Sequence, residues 1–223
     1  MEISLAVSSS LPVADIETRR LLLRRWRPSD LQPFAKMNAD PQVMEFFPNP
    51  LSKGDSDALA ARVRQHFENH GFGLWAVEVP KVTAFAGFIG LSTTRFEAHF
   101  TPCTEIGWRL AAEYWGRGFA TEGARAVLDF AFGTIHLAEV VSMTAKCNHR
   151  SRRVMERIGM TSTSDDDFPH PLIPQGHRLS HHVLYRARRN ADEQNRDRDP
   201  DCSEAPPTPP GVRVRTGRFT SSQ

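Results

Sequence analysis

The sequence predicts an α/β (α+β) fold, a mixed and mostly antiparallel central sheet flanked by helices, and three stretches carry that prediction. Thr104 to Leu110 alternates, with Ile106, Trp108 and Leu110 on one face and Glu105, Gly107 and Arg109 on the other, the pattern of a half-buried strand. From Phe119 the period changes. Ala120, Ala124, Val127, Leu128 and Ala131 form one helical stripe, Glu122, Arg125 and Asp129 lie opposite, and Gly133 marks the stop. Ahead of both, Leu74 to Val79 and Phe85 to Thr93 read as strands joined by short polar connections, so that they and the strand at Thr104 are expected to be antiparallel neighbours.

The other elements follow in chain order. Residues 1–15 are small and polar, a flexible leader. Leu21, Leu22 and Leu23 between arginines open a strand that ends at Trp26, and Pro28-Ser29-Asp30 signals a helix reaching Met37 before Asp40-Pro41 interrupts it. Val43 to Phe47 is expected to continue briefly as helix until Pro48 and Pro50. Leu59, Val63 and Phe67 give the stripe of a second helix over 55–69, stopped at Gly71 and Gly73. The run TTRFEAHFTP reads as an exposed turn. Glu139 to Lys146 is a strand of β-branched and small residues, Arg150 to Arg157 a short helix closing at Gly159, 161–176 a loop with one short strand, and Arg178 to Tyr185 the last strand. Residues 189–223 hold many Pro, Asp, Arg and Ser with few large apolar side chains, the composition of a disordered tail.

Global quantities narrow the function. The chain has 223 residues, room for one ample core, and carries 28 basic against 26 acidic side chains. Near-neutrality gives no reason to expect nucleic acid or a membrane surface as partner. Apolar runs are too short to cross a bilayer and the N-terminus lacks a basic n-region, so a soluble cytoplasmic protein is expected. Cys103, Cys147 and Cys202 are widely spaced and odd in number, which suits free thiols in a reducing compartment. His181 and His182 would face opposite sides of a strand, which argues against a metal site shared with His177.

Between the strand ending at Leu110 and the helix beginning at Phe119 lies Trp115-Gly116-Arg117-Gly118-Phe119-Ala120. Glycines permit positive φ and close approach, and a helix start presents unpaired N–H groups at the positive end of its dipole, which together suit phosphate oxygens. No Lys-Ser/Thr follows and no G-x-G-x-x-G is present, so neither of the two best-known phosphate loops is here. By itself the turn equally fits an ordinary strand-to-helix connection.

Its surroundings are more specific. The run EIGWRLAAEYWGRGFATEGARAVLDFAF resembles the acyl-CoA-binding motif of the GNAT family of N-acetyltransferases, Gln/Arg-x-x-Gly-x-Gly/Ala. Gly118 and Ala120 hold the last two small positions, and Trp115 holds the first, a departure seen in the RimJ/RimL-like branch. NHRSRRVMERIGM, from Asn148 to Met160, resembles the second motif of the family, and GHRLSHHVLYR, from Gly176 to Arg186, is similar to the closing strand of that branch. The three motifs cover 16–188, the expected N-acetyltransferase domain.

The resemblance implies transfer of an acetyl group from acetyl-CoA, as co-substrate, to a primary amine, such as a protein N-terminal α-amine, with no metal and with a homodimer allowed. A small-molecule amine as acceptor, and a non-catalytic acyl-CoA-binding module, stay open. The pyrophosphate would rest on the N–H groups of Gly116, Arg117, Gly118, Phe119, Ala120 and Thr121. The pantetheine arm would pair with the backbone of Trp108 and Leu110 and touch Asn148, which also suits a helix N-cap. Core packing explains Phe46, Phe47 and Trp75 more readily than a substrate cage, but by the resemblance all three lie where the branch builds its acceptor cleft.

Thioester aminolysis needs a neutral amine, a donor for the oxyanion and a proton for the thiolate. At pH 7 a lysine amine costs about 4.6 kcal/mol to deprotonate and a protein α-amine about 1.4, so the α-amine asks less of its base. Glu105, at the head of the strand, is the candidate base, and a surface carboxylate in a cross-strand pair is the competing reading. The tyrosine acid of many GNAT enzymes would fall at Met155, which cannot donate a proton. The RimL-like branch implies Ser151 instead, a position that also suits an ordinary first-turn serine.

Overall fold

A computed structural model describes residues 14–189 and 213–216, with the backbone alone for Ala14 and the last four. They form β1 (Ala14–Glu17), β2 (Leu22–Arg24), α1 (Leu31–Ala39), α2 (Lys53–His70), β3 (Leu74–Val79), β4 (Thr83–Thr93), β5 (Thr104–Leu110), α3 (Phe119–Gly133), β6 (Glu139–Ala145), α4 (His149–Arg157), β7 (Phe168–Pro169), β8 (His181–Arg188) and β9 (Arg213–Thr216). The strands make one sheet in the order β7-β8-β6-β5-β4-β3-β2-β1-β9. Every pairing is antiparallel except β5 with β6. The mixed, mostly antiparallel sheet flanked by helices is thus the architecture found.

Neighbouring residues of β4 show the two faces. Ile89 points to α3, where Gly123 lies so close that a β-carbon on it would stand 2.5 Å from Ile89 Cδ1. Phe88 points the other way, to Phe34 of α1, with ring centroids 6.1 Å apart. α2 serves both layers: Ala60 joins the cluster of Phe34 and Phe88, while Val63 and Phe67 join the larger α3-side core. The buried side of α3 is broader than its predicted stripe, taking in Phe119, Ala126 and Phe130 as well, because α4 packs on the helix in addition to the sheet.

Capping explains why the helices begin and end where they do. Ser52 Oγ accepts from the Asp55 N–H at 3.1 Å at the start of α2, and Gly71, at φ 73°, closes it with an N–H to the Phe67 carbonyl. Ahead of α1, a 3-10 turn over Pro28–Asp30 brings Asp30 back to Arg24. Both are almost wholly buried, and the guanidinium meets the carboxylate in a bidentate pair at 2.8 and 2.9 Å while Nε reaches Glu78 at 2.7 Å. One cation therefore ties β2, β3 and the start of α1 together.

Several expectations need correction. Residues 14–15 were expected in the leader but belong to β1, which gains its partners, β2 and 213–216, only in the folded chain. Residues 213–216 form β9, inside the stretch expected to be a disordered tail; the rest of that stretch beyond Arg189, and residues 1–13, lie outside the described residues. Val43 to Phe47 is a turn and no helix: one bond links Met44 N–H to the Asp40 carbonyl, the next is the tighter Phe47 N–H to Met44 carbonyl, and Pro48 follows. The run TTRFEAHFTP, expected as an exposed turn, instead folds back so that Phe96 and Phe100 pack on Phe168. The last strand runs from His181 to Arg188, three residues later than expected at each end, because Pro174 to Ser180 closes successive turns and β6 pairs as far as Arg188.

Candidate active site

β5 and β6 are register partners at a single position, Glu105 beside Val141. One residue on, the Ser142 hydroxyl donates to the Ile106 carbonyl at 2.9 Å, a side chain standing in for the next ladder bond. Beyond this point the two strands share no register pair. Backbone polar groups of a strand face its two edges alternately, so the N–H and C=O of Trp108 and Leu110 point to the same edge as the Ile106 carbonyl. The Leu110 carbonyl accepts from the Trp115 indole at 2.8 Å. Trp108 is left with an edge that an extended ligand can pair with.

That edge leads to the glycine turn. Gly116 and Gly118 sit at φ 72° and 77°, a region that side chains with a β-carbon disfavour, and Gly118 is the N-cap of α3. Intrahelical bonding starts with the Glu122 N–H to the Gly118 carbonyl at 3.0 Å. The amides of Gly116, Arg117, Gly118, Phe119, Ala120 and Thr121 therefore have no acceptor among the described residues. Their cluster at the positive end of a 15-residue helix suits a diphosphate. Arg20 braces the turn: Nη1 donates to the Arg117 carbonyl at 2.9 Å and Nε pairs with Glu122 at 2.6 Å. Burial pushes the Glu122 carboxyl up, but hydrogen bonds from Thr18 and Arg20 outweigh it and hold the group below its ordinary value, so this acid is charge-paired beside the turn. The Arg117 side chain is exposed, 5.9 Å from the Tyr114 ring centroid, and in no ion pair among the described residues.

Glu105 stands at the head of the open edge, on the opposite face from Ile106. Burial pushes its carboxyl up to about 7, with no ion-pair partner among the described residues. Two residues on, the space where Gly107 would carry a β-carbon has no atom within 4 Å, so the face is hollow there. Two further on, burial pulls the Arg109 guanidinium down to about 10. Its Nη1 donates to Asn38 Oδ1 at 2.6 Å, and its Cζ lies 4.0 Å from the Phe47 centroid and 5.4 Å from that of Phe88. Its Nε is buried without a hydrogen-bond partner.

The remaining predicted residues divide. Asn148 caps α4, with Oδ1 accepting from the Ser151 N–H at 3.2 Å and Nδ2 donating to Thr144 at 2.9 Å, so its carbonyl oxygen is committed to the cap. The Ser151 hydroxyl, half-buried in the first turn of α4, has no protein partner among the described residues. Phe46 and Phe47 are held at the site: Arg150, at the start of α4, lies 5.5 Å from the Phe46 ring and 4.4 Å from the Trp115 ring and pairs with Glu45. Trp75 is not at the site. It is fully buried on the α3 face, edge-on to Phe67 and Phe130, which is core packing. Phe119 contributes its amide to the turn but its side chain to the core.

Sequence reasoning missed Arg20, Asn38, Arg109 and Arg150 as site residues. The alternation that put Glu105, Gly107 and Arg109 on one face was the available signal for Arg109; the others depend on contacts with residues far away in the chain. Among the described residues no group of three His, Cys, Asp or Glu is placed to hold a metal ion, and no helix is long and apolar enough to cross a membrane.

Comparison with known proteins agrees with this geometry. The family described as "Acetyltransferase (GNAT) domain" matches residues 20–161. The FsC-acetyl coenzyme A-N(2)-transacetylase of Aspergillus fumigatus is 33% identical over 159 residues, 63% of this chain and 64% of that protein, so the match spans a little under two thirds of the relative. Among solved structures, an acetyltransferase from Agrobacterium tumefaciens str. C58 shares 26% identity with a TM-score of 0.64, over 78% of this chain and 94% of that one. RimL, the ribosomal L7/L12 α-N-protein acetyltransferase in complex with coenzyme A, reaches 0.63 at 15% identity over 78% and 97%, a likeness of fold. An open β5 edge leading to a turn of unpaired amides, in a chain matched by that family from Arg20 to Thr161, means that this protein belongs to the GNAT acetyltransferase family.

Proposed function

We propose that the chain transfers the acetyl group of acetyl-CoA directly to a primary amine and belongs to the RimJ/RimL-like branch. The observation that carries this reading is the edge of β5 beyond Ile106, unpaired by β6 and ending at six acceptor-free amides, Gly116 to Thr121. The diphosphate binds those amides with Arg117 alongside, and the pantetheine arm lies along Trp108 and Leu110. This sets the thioester near Gly107, beside Glu105.

The chemistry then follows from the side chains present. An acceptor amine reaches the site mostly protonated. Glu105, titrating near 7, takes that proton, directly or through one water, with little mismatch to neutral pH. The nitrogen forms its bond to the thioester carbon, the charge on the carbonyl oxygen is met by the Trp108 N–H, and as the carbon–sulfur bond breaks the thiolate takes a proton from Ser151, which recovers it from the second proton shed by the new amide nitrogen. Met155, at the position of the family tyrosine, is buried and has no proton to give.

A protein N-terminal α-amine is the leading acceptor, since its low pKa asks least of Glu105, and the named substrate of RimL is of that kind. A small-molecule amine is the alternative, supported by the name of the Aspergillus relative. Unpaired thiols at Cys103 and Cys147 support a reducing, cytoplasmic location. The test is thiol release from acetyl-CoA against peptides, amino acids, polyamines and aminoglycosides. Turnover with one class supports the transferase. Saturable acetyl-CoA binding with no turnover on any amine would leave a non-catalytic acyl-CoA-binding module instead.

A further inference from the structure

Arg109 is a half-buried cation without a counter-ion among the described residues. Glu105, the carboxylate on the same face of β5, stands four residues away along the strand, and Arg109 is in no ion pair among the described residues. Its only hydrogen-bonded partner among the described residues is the neutral Asn38, itself fully buried and fixed by a 2.8 Å bond from Nδ2 to Ser56. The Phe47 and Phe88 rings supply aromatic faces and no anion, and Nε has no acceptor. A guanidinium partly removed from water, with its Nε buried and unsatisfied, carries a desolvation cost that an anion would offset. Asn38 and the two rings fix its plane, which preorganises the fork for a bidentate carboxylate.

Its position says whose carboxylate that is. Arg109 shares a face of β5 with Glu105, and the hollow over Gly107 lies between them. Alternate residues on one face of a strand are about 6.6 Å apart, so an amine over Gly107 and a group bound by Arg109 are separated by a few bonds. From this juxtaposition we infer that the amine acceptor carries a carboxylate close to its amine, and that Arg109 is the residue that selects for it. The inference rests on the transferase reading and narrows it. Two sources present that chemistry: a free amino acid or related small amino-carboxylate, and a peptide with an acidic side chain next to its N-terminus.

The experiment compares acceptors that differ only in this charge. Thiol release is measured for small amino acids against their carboxamides, and for peptides with Asp against Asn at the second position, with wild-type protein and with Arg109→Gln. In the wild type, kcat/KM for the carboxylate member of at least one pair exceeds that of its neutral partner about tenfold or more. In Arg109→Gln that ratio falls toward one, and the pair that shows the effect identifies the source. Should the variant not fold, Asn38→Ala, which frees the guanidinium from its anchor, serves as the second variant and lowers the same ratio. Turnover with no charge preference in the wild type, or an undiminished preference in a folded Arg109→Gln, overturns the inference and leaves the transferase reading standing. Absence of thiol release with every acceptor overturns both.

Discussion

Glu105 and Arg109 stand on one face of β5 with only Gly107 between them, yet neither neutralises the other. Burial alone moves each toward its uncharged form, to about 7 and about 10. The acid therefore keeps a proton affinity suited to an amine at neutral pH, and the base keeps an unsatisfied demand for an anion.

A site of this kind weakens the fold at high pH. Glu105 is raised above its ordinary value of 4.5, so the stability tied to its protonated form is fully present below about 4.5 and is lost as pH rises through about 7. The loss amounts to about 3 kcal/mol by pH 8. Glu105→Gln should thus be more stable than wild type at pH 8 and close to it at pH 4.5, as measured by urea denaturation at both values. Equal stability at both would place the carboxyl in contact with water.

The glycine turn makes a separate prediction about affinity. Valine at Gly118 would have to adopt φ near 77°, where a β-branched side chain is strained, and would bring atoms over the amides. Gly118→Val should weaken acetyl-CoA binding about tenfold or more by calorimetry while circular dichroism stays that of a folded protein. Undiminished affinity in the folded variant would remove the diphosphate from this turn.

Stability elsewhere rests on one buried cation. Arg24→Met retains the volume but leaves Asp30 as an unpaired carboxylate in the interior and releases Glu78. A loss of about 3–5 kcal/mol in urea denaturation is expected, larger than for exposed pairs such as Lys53 with Asp57, which should cost under about 1 kcal/mol.

Elements whose pattern is local were legible in the sequence. The alternation of β5, the apolar stripe of α3 and the glycine turn between them needed only the periods 2 and 3.6 and the chemistry of glycine. What could not be read was made by distant residues. β1 is four residues long and has a short neighbour, β2, on one side and a strand about 200 residues further along the chain on the other. The environment of Arg109 is set by Asn38, 71 positions away, and the brace on the glycine turn joins Arg20 to Glu122 across 102. Trp75 looked like a cleft aromatic because sequence does not say which face of β3 receives a helix; pairing with Ile89 puts it under α3. The raised carboxyl of Glu105 is a product of burial, which no spacing encodes.

The central claim is that Glu105 deprotonates the amine beside an acetyl thioester held along β5. It is tested most directly by the pH dependence of thiol release in wild type and Glu105→Gln, with acetyl-CoA affinity measured in parallel. The wild-type kcat/KM should rise with pH to a plateau with an apparent pKa of about 7, and Glu105→Gln should lose that rise and about 100-fold or more in kcat/KM while its affinity for acetyl-CoA stays within about threefold. A folded Glu105→Gln that turns over as fast as wild type with the same pH profile would contradict it.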